Sequence, residues 1–202
     1  MKRKHLWWAL AGIGGAAALG FVLRGSMAAQ AERARYKRTA RHRGIELRDY
    51  TPLIVAETAA AGDRETAIRQ GFRALADYIF GHNAAFRVVA MTAPVTQQPN
   101  GADWTVRFVM PQRHTIDTLP RPNDPAVTLK QVEGKRYAAI RFSGLARDAT
   151  LRRHTERLEK FIGAKGLRAL SSPTYAFYNP PWTRPLLRRN EIMIEIDRGD
   201  GC

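Results

Sequence analysis

The sequence is poor in the residues that build redox, metal or nucleophilic centres. Its one cysteine among 202 residues, Cys202, ends the chain. A single thiol cannot close an internal disulfide or complete a thiolate metal cluster. With no three residues after it, Cys202 is not a prenylation signal. The five histidines, His5, His42, His82, His114 and His154, are scattered. No two have the spacing of a metal pair on one helix or strand, and no His-Glu-x-x-His element occurs. A Gly-x-Ser-x-Gly elbow and a phosphate-binding glycine loop are also missing. Glu57, Asp77, Glu191 and Glu195 form no acid/base pair that spacing identifies. The sequence therefore nominates no catalytic residue and no metal ligand. Acids are scarce as well: 18 Asp and Glu stand against 33 Lys and Arg, a formal net charge of +15. Residues 1–43 hold ten of those cations and one acid, Glu32, whereas residues 44–202 carry a net charge of only +6. The basicity belongs to the tail. That distribution, with no helix-turn-helix before residue 44, argues against a nucleic-acid partner.

The tail opens with Lys2, Arg3 and Lys4 and continues as an apolar run from Leu6 to Leu23. Eighteen helical residues span about 27 Å, just short of a hydrocarbon core of about 30 Å. A basic start, an apolar middle and the small-residue stretch Ala29-Gln30-Ala31 fit a cleavable signal peptide, while Arg24 and the length that follows fit a retained signal anchor. The expectation is a segment 1–43 of signal or anchor plus basic linker, with a folded domain over 44–202 that is exported or membrane-tethered on the periplasmic side. Seven Lys/Arg follow the apolar run against three before it, which by the basic-residue rule points to a cytoplasmic-facing domain. Both orientations stand.

Beyond the tail the pattern becomes regular. Ile45–Tyr50 and Leu53–Ala60 read as strands turning at Thr51-Pro52. Asp63 caps a helix whose Ile68, Phe72, Leu75 and Ile79 share one face, and Gly81 stops it. Strands follow at Ala90–Gln97, interrupted by Pro94, and at Trp104–Met110. After a proline-rich loop over 111–126 the order recurs. Val127–Val132 and Tyr137–Phe142 pair, Asp148 caps a helix carrying Leu151, Leu158 and Ile162, and strands follow at Tyr175–Tyr178 and Glu191–Asp197. The two caps lie 85 residues apart, and internal duplication is the simplest account. Helices between strand pairs imply an antiparallel α+β sheet. Two strand–strand–helix–strand–strand units give eight strands curling into an open barrel, with a helix outside each half.

The segment from Thr174 to Asp197 is the least ordinary. Tyr175 and Tyr178 run into Pro180 and Pro181, then Trp182, and the chain must leave the sheet because proline has no amide donor. Arg184, Arg188 and Arg189 follow before Ile192, Ile194 and Ile196 resume a strand. A flat, apolar ligand with an anionic rim suits such a loop; the plain alternative is that Trp182 caps a barrel end and the arginines face water.

Several segments, in order, carry a resemblance: MTAPV (Met91–Val95), FVMP (Phe108–Pro111), LPRPND (Leu119–Asp124), FSG (Phe142–Gly144) and NPPWTRPLLRRNE (Asn179–Glu191). Over about residues 44–197 the chain resembles the SOUL/haem-binding protein family. The resemblance implies a distorted eight-stranded antiparallel barrel of duplicated units with two flanking helices. It also implies non-catalytic binding of haem or another tetrapyrrole in a shallow apolar groove, as carrier or buffer. Carried onto this chain, that groove takes Arg69, Phe72 and Ala76 from the first helix and Trp182 and Arg184 from the late loop. The macrocycle would lie between Phe72 and Trp182, with Arg69 and Arg184 on its propionates. Phe72 also belongs to the apolar stripe of its helix. Where some relatives place an iron-ligating histidine in the first strand, IELRDY has Asp49, which leaves His82 at the helix end. That departure favours a second reading, an effector- or partner-binding module for another amphipathic ligand or peptide.

Overall fold

The computed structural model describes residues 31–198. The apolar run Leu6–Leu23 and Cys202 lie outside those residues. Among the described residues, no helix is long and apolar enough to cross a membrane.

The strands are β1 (Glu32–Arg33), β2 (Tyr36–His42), β3 (Ile45–Tyr50), β4 (Leu53–Ala60), β5 (Thr92–Ala93), β6 (Val95–Asn100), β7 (Asp103–Val109), β8 (Thr128–Val132), β9 (Arg136–Phe142), β10 (Thr174–Phe177) and β11 (Asn190–Glu195). Helix α1 covers Arg64–Ile79 and α2 covers Asp148–Ala164. Nine strands form one antiparallel sheet in the order β2-β3-β9-β11-β10-β6-β7-β4-β8, and β1 pairs in parallel with β5. The fold is thus α+β with two helices, but the expected eight-stranded barrel is corrected. The sheet stays open, with β2 and β8 as its edges. The ninth strand comes from residues expected to be basic linker: Tyr36–His42 pair along the whole of β3. Its Lys37, Arg38 and Arg41 suit an edge, where charge discourages further strand addition.

Without β2, the order β3-β9-β11-β10-β6-β7-β4-β8 is unchanged when the two halves are exchanged and the list is read backwards. Each half lends its first strand to the other: β3 lies beside β9, and β8 beside β4.

Both helices cover the same face. Leu151, Leu158 and Ile162 of α2 pack on Ile45, Ile140, Ile192 and Ile194, while Leu75, Tyr78 and Ile79 of α1 pack on Ala56, Val106 and Phe108. The register carries that face across the sheet, from Ile192 to Tyr175, to Gln97, to Val106. Asp63 caps α1 as expected, accepting from the Thr66 amide at 2.9 Å, and Gly81 follows with φ of +111°. Asp148 does not cap α2. Arg147 holds that position with no side-chain cap, and the Asp148 carboxylate instead meets Arg64 of α1 at 2.6 Å. The opposite face carries a smaller apolar cluster of Ala93, Ala139, Ala176, Tyr178 and Met193, on which Ala31 packs.

Candidate ligand groove and the proline-rich loop

The first wall of the expected groove is the outer side of α1. Phe72 sits on the boundary between core and solvent: its ring meets Phe108 edge-on at 5.3 Å, yet it remains 41% exposed. Arg69 is exposed and donates to the Thr66 hydroxyl at 3.1 Å. Ala76 is buried, so it packs beneath the helix rather than opening to a ligand.

The second wall is the connection 178–189, which is built to hold its shape. The Tyr178 amide donates to the Arg189 carbonyl at 3.2 Å, and the Arg189 amide to Asn179 Oδ1 at 2.6 Å, closing the stem. Residues Pro185–Leu187 make a single 3-10 turn. Prolines supply no donors, so side chains and a neighbouring segment add to the loop's own amides in satisfying its carbonyls. Arg188 donates to the carbonyls of Thr183, at 2.8 Å, and of Pro181. The Gly144 amide donates to the Pro185 carbonyl at 2.9 Å, and Asn190 Nδ2 to the Gly144 carbonyl at 3.0 Å. The expectation that this loop gathers several outward guanidiniums therefore narrows. Arg188 braces the loop, Arg189 turns inward, and Arg184 points to solvent at the start of the turn. Trp182 is half exposed.

The two walls are linked through residues 144–148. Arg64 at the start of α1 donates to the Ala146 carbonyl at 3.1 Å as well as to Asp148, and Gly144 of the same segment holds Pro185. Neither Arg69 nor Arg184 forms an ion pair with a described residue. An apolar, acid-bearing plate fits that donor set. Neither wall carries an imidazole; His82 is exposed just past α1, with Nδ1 3.8 Å from Asp77.

Beneath the loop lies a cluster that sequence spacing did not reveal. Glu191, fully buried at the start of β11, accepts from Arg48 at 2.6 and 3.1 Å, from Arg189 at 2.8 and 3.0 Å, and from the Tyr178 hydroxyl at 3.0 Å. Burial pushes the Glu191 carboxyl up, but Arg48 and Arg189 outweigh it and hold it below the usual carboxylate value. Burial also pushes Tyr50 up to about 12 and Tyr178 well above its ordinary value. The Arg48 guanidinium lies 4.5 Å from the Tyr36 ring centroid and that of Arg189 4.0 Å from Tyr178. The one available signal was an arginine, Arg48, at a strand position flanked by Glu46 and Tyr50 on the same face. Two guanidiniums on one carboxylate make a structural anchor, not an acid/base pair.

Two clefts are present among the described residues. One, of about 600 Å³, is lined by the apolar side chains of Tyr50, Val55, Tyr137 and Met193 and by the charged Glu57, Arg107, Lys130 and Glu195. The other, of about 510 Å³, borders Arg33, Arg35, Ile54, Met110 and His114. Burial, then Arg113 and Arg87, lower the His114 imidazole below its usual value and favour its neutral form. Arg69, Phe72, Trp182 and Arg184 line neither cleft.

Two helices on one face of an open nine-stranded antiparallel sheet define the chain as an α+β domain. A family model for SOUL heme-binding protein matches residues 31–195, and the chain belongs to that family. No curated relative matches the sequence. Among solved structures, the chain is similar to the EcmrR C-terminal domain at 12% identity, over 80% of this chain and 98% of that one, with a TM-score of 0.61. It is similar to EcmrR in its DNA complex at 10% identity, over 90% of this chain and 64% of that one, with a TM-score of 0.60. A hydrolase from Listeria innocua is similar at 12% identity, over 79% of this chain and 94% of that one, with a TM-score of 0.54. At these identities the likeness speaks to fold alone.

Proposed function

We propose that this protein binds haem or another tetrapyrrole reversibly and without catalysis, as a carrier or buffer, held at a membrane by its amino-terminal segment with the domain on the periplasmic side. The observation that carries the ligand reading is family membership over residues 31–195, joined to a site chemistry that suits it. Phe72 and Trp182 offer half-exposed aromatic faces, and Arg69 and Arg184 offer guanidiniums uncommitted to carboxylates. Bound haem would supply a planar apolar body and two carboxylates; Phe72 and Trp182 would cover the body and the arginines would orient the acids. Iron ligation by the protein is not part of this reading, because the groove walls lack a histidine. The tether rests on the apolar run Leu6–Leu23 and its basic flanks. That nucleic acid is not the partner rests on the modest charge of residues 44–202. Duplication of the two halves is supported by the exchange symmetry of the strand order.

The test is a haemin titration of the full chain, read by Soret absorbance and tryptophan quenching, with Arg69→Ala and Trp182→Ala beside it. Saturable one-to-one binding, weakened roughly tenfold by each change, is expected. Binding unaffected by either change but lost with His114→Ala would move the site to the smaller cleft. A second reading, an effector-binding module, is favoured by the cleft of about 600 Å³ on the helix-free face, which has a volume suited to a drug-sized amphipathic ligand. No saturable haemin binding would hand the lead to it.

A further inference from the structure

The loop 178–189 exposes more apolar surface than a tetrapyrrole-binding wall requires. Leu186 is 84% exposed and Leu187 70%, beside Trp182 at 49% and Leu145 at 38%. Leu145 belongs to the group because its neighbour Gly144 is hydrogen-bonded to Pro185. The loop is braced by the Arg188, Asn179 and Gly144 hydrogen bonds described above, so these side chains are held outward by a fixed backbone. A stiff loop that keeps two adjacent leucines in water forgoes burial that a small rearrangement would otherwise recover.

The charges around the tip have one sign. From Asn179 to Asn190 there is no acid, and Arg184 stands at the tip, with Arg141 and Arg147 exposed on the adjoining strand end and segment. The carboxylates nearest in sequence are spoken for: Glu191 is buried between two guanidiniums, and Asp148 pairs with Arg64. Tryptophan at the rim, leucines at the tip and arginines around them form the pattern of side chains that partition into an anionic lipid interface.

An independent observation gives the same orientation. The described chain begins at Ala31, packed on the cluster containing Tyr178, and the Arg33 guanidinium lies 5.9 Å from the Tyr178 ring centroid. Tyr178 is the stem of the loop. If Leu6–Leu23 is the tether, only seven residues separate its end from Ala31, so the two are at most about 28 Å apart along extended chain. A domain held that closely presents to the bilayer some surface near its point of attachment, and this loop is there.

We propose that the tip formed by Leu145, Trp182, Arg184, Leu186 and Leu187 docks into an anionic lipid surface. The inference goes beyond the tetrapyrrole reading and stands or falls without haemin. The experiment uses the full chain with Cys202→Ser, carrying an environment-sensitive nitrobenzoxadiazole label at Leu187→Cys or at Ala102→Cys. Ala102 lies in the β6–β7 turn, at the far end of β6 from Val95, which pairs with Phe177 beside the loop. Each is mixed with phosphatidylcholine vesicles with or without about a quarter phosphatidylglycerol, and quenching by bilayer-embedded spin-labelled lipid is read. The expected result is a blue-shifted, quenched label at 187 and an unshifted, unquenched label at 102, with the signal at 187 stronger in the anionic vesicles and reduced by Arg184→Glu. Equal quenching at both positions, or none at 187, overturns the proposal. Crosslinking of position 187 to a second protein or a second copy in place of lipid quenching overturns it too and assigns the tip to a protein interface.

Discussion

Replacing Glu191 with alanine should destabilise the domain by about 3 kcal/mol. The carboxylate is fully buried, and its removal strands Arg48, whose side chain is 3% exposed. Breaking a buried ion pair by deleting one partner costs about 3–5 kcal/mol. The lower end applies here because Arg48 keeps Glu46 at 2.9 Å and its place over Tyr36. For a domain of this size that corresponds to a fall in Tm of roughly 6–12 °C, measurable by thermal unfolding under near-ultraviolet circular dichroism. The apolar pair Arg48→Met with Glu191→Leu should recover most of the loss, because the desolvation of both charges disappears together. The pH dependence follows from the sign of the shift. The Glu191 carboxyl is held below its usual value near 4.5 in the fold, so its contribution is complete above the unfolded value and is lost as pH falls through the folded one. Wild type should therefore lose stability below about pH 4.5 more steeply than Glu191→Gln. A loss under about 1 kcal/mol for Glu191→Ala, or strict additivity between Arg48→Ala and Glu191→Ala, would refute the reasoning.

Two further changes probe the framework that holds the groove. A Cβ on Gly71 would lie 2.5 Å from Val106 Cγ2, so Gly71→Ala must push α1 off β7; overpacking of about 1–3 kcal/mol outweighs a helix-propensity gain of about 1 kcal/mol, and a lowered Tm in thermal unfolding is expected. Asn83 is fully buried and makes four hydrogen bonds, to the carbonyls of Tyr78 and Arg87 and from the amides of Ala85 and Arg87. Asn83→Ala should cost about 2–4 kcal/mol, and amide exchange over residues 81–88 should accelerate, since the Asn83 side chain holds the amides of Ala85 and Arg87 on either side of Phe86 and its positive φ of 49°.

Local chemistry made most of the elements legible. Strands 45–50 and 53–60 have their expected bounds because alternation and the Thr51-Pro52 turn coincide, and α1 was marked by both its cap and its apolar face. What the pattern did not reveal was the open sheet and the edge strand at residues 36–42. Nothing in a strand's own pattern states how many neighbours it has, so an eight-stranded barrel and a nine-stranded open sheet look alike from sequence. Residues 36–42 carry five of their seven positions as Lys, Arg, Thr or His, and an edge strand exposed on both sides loses the alternation that marks strands. Phe72 was read both as core and as ligand wall; its ring packs on Phe108 while remaining 41% exposed, so its place in the helix stripe does not by itself tell the two apart. Arg48 and Glu191 are 143 positions apart; a pairing of that range leaves no local trace.

The buried cluster gives the late loop its division of labour. Arg189 and Tyr178, the two residues that frame the loop, both end on Glu191, and Arg48 ties that carboxylate to β3, beside the β2 edge. Tyr36 stacks beneath Arg48, and Arg33 lies near Tyr178, so the amino-terminal segment enters the same cluster that anchors the loop stem. A rigid base is what allows a tip of exposed leucines to persist without collapsing onto the sheet. It also couples the point of attachment to the loop: a pull on residues 31–36 acts directly on the side chains around Glu191. If the tip docks into lipid and Trp182 also covers a macrocycle, the ligand enters or leaves at the membrane face, and docking and binding share one wall.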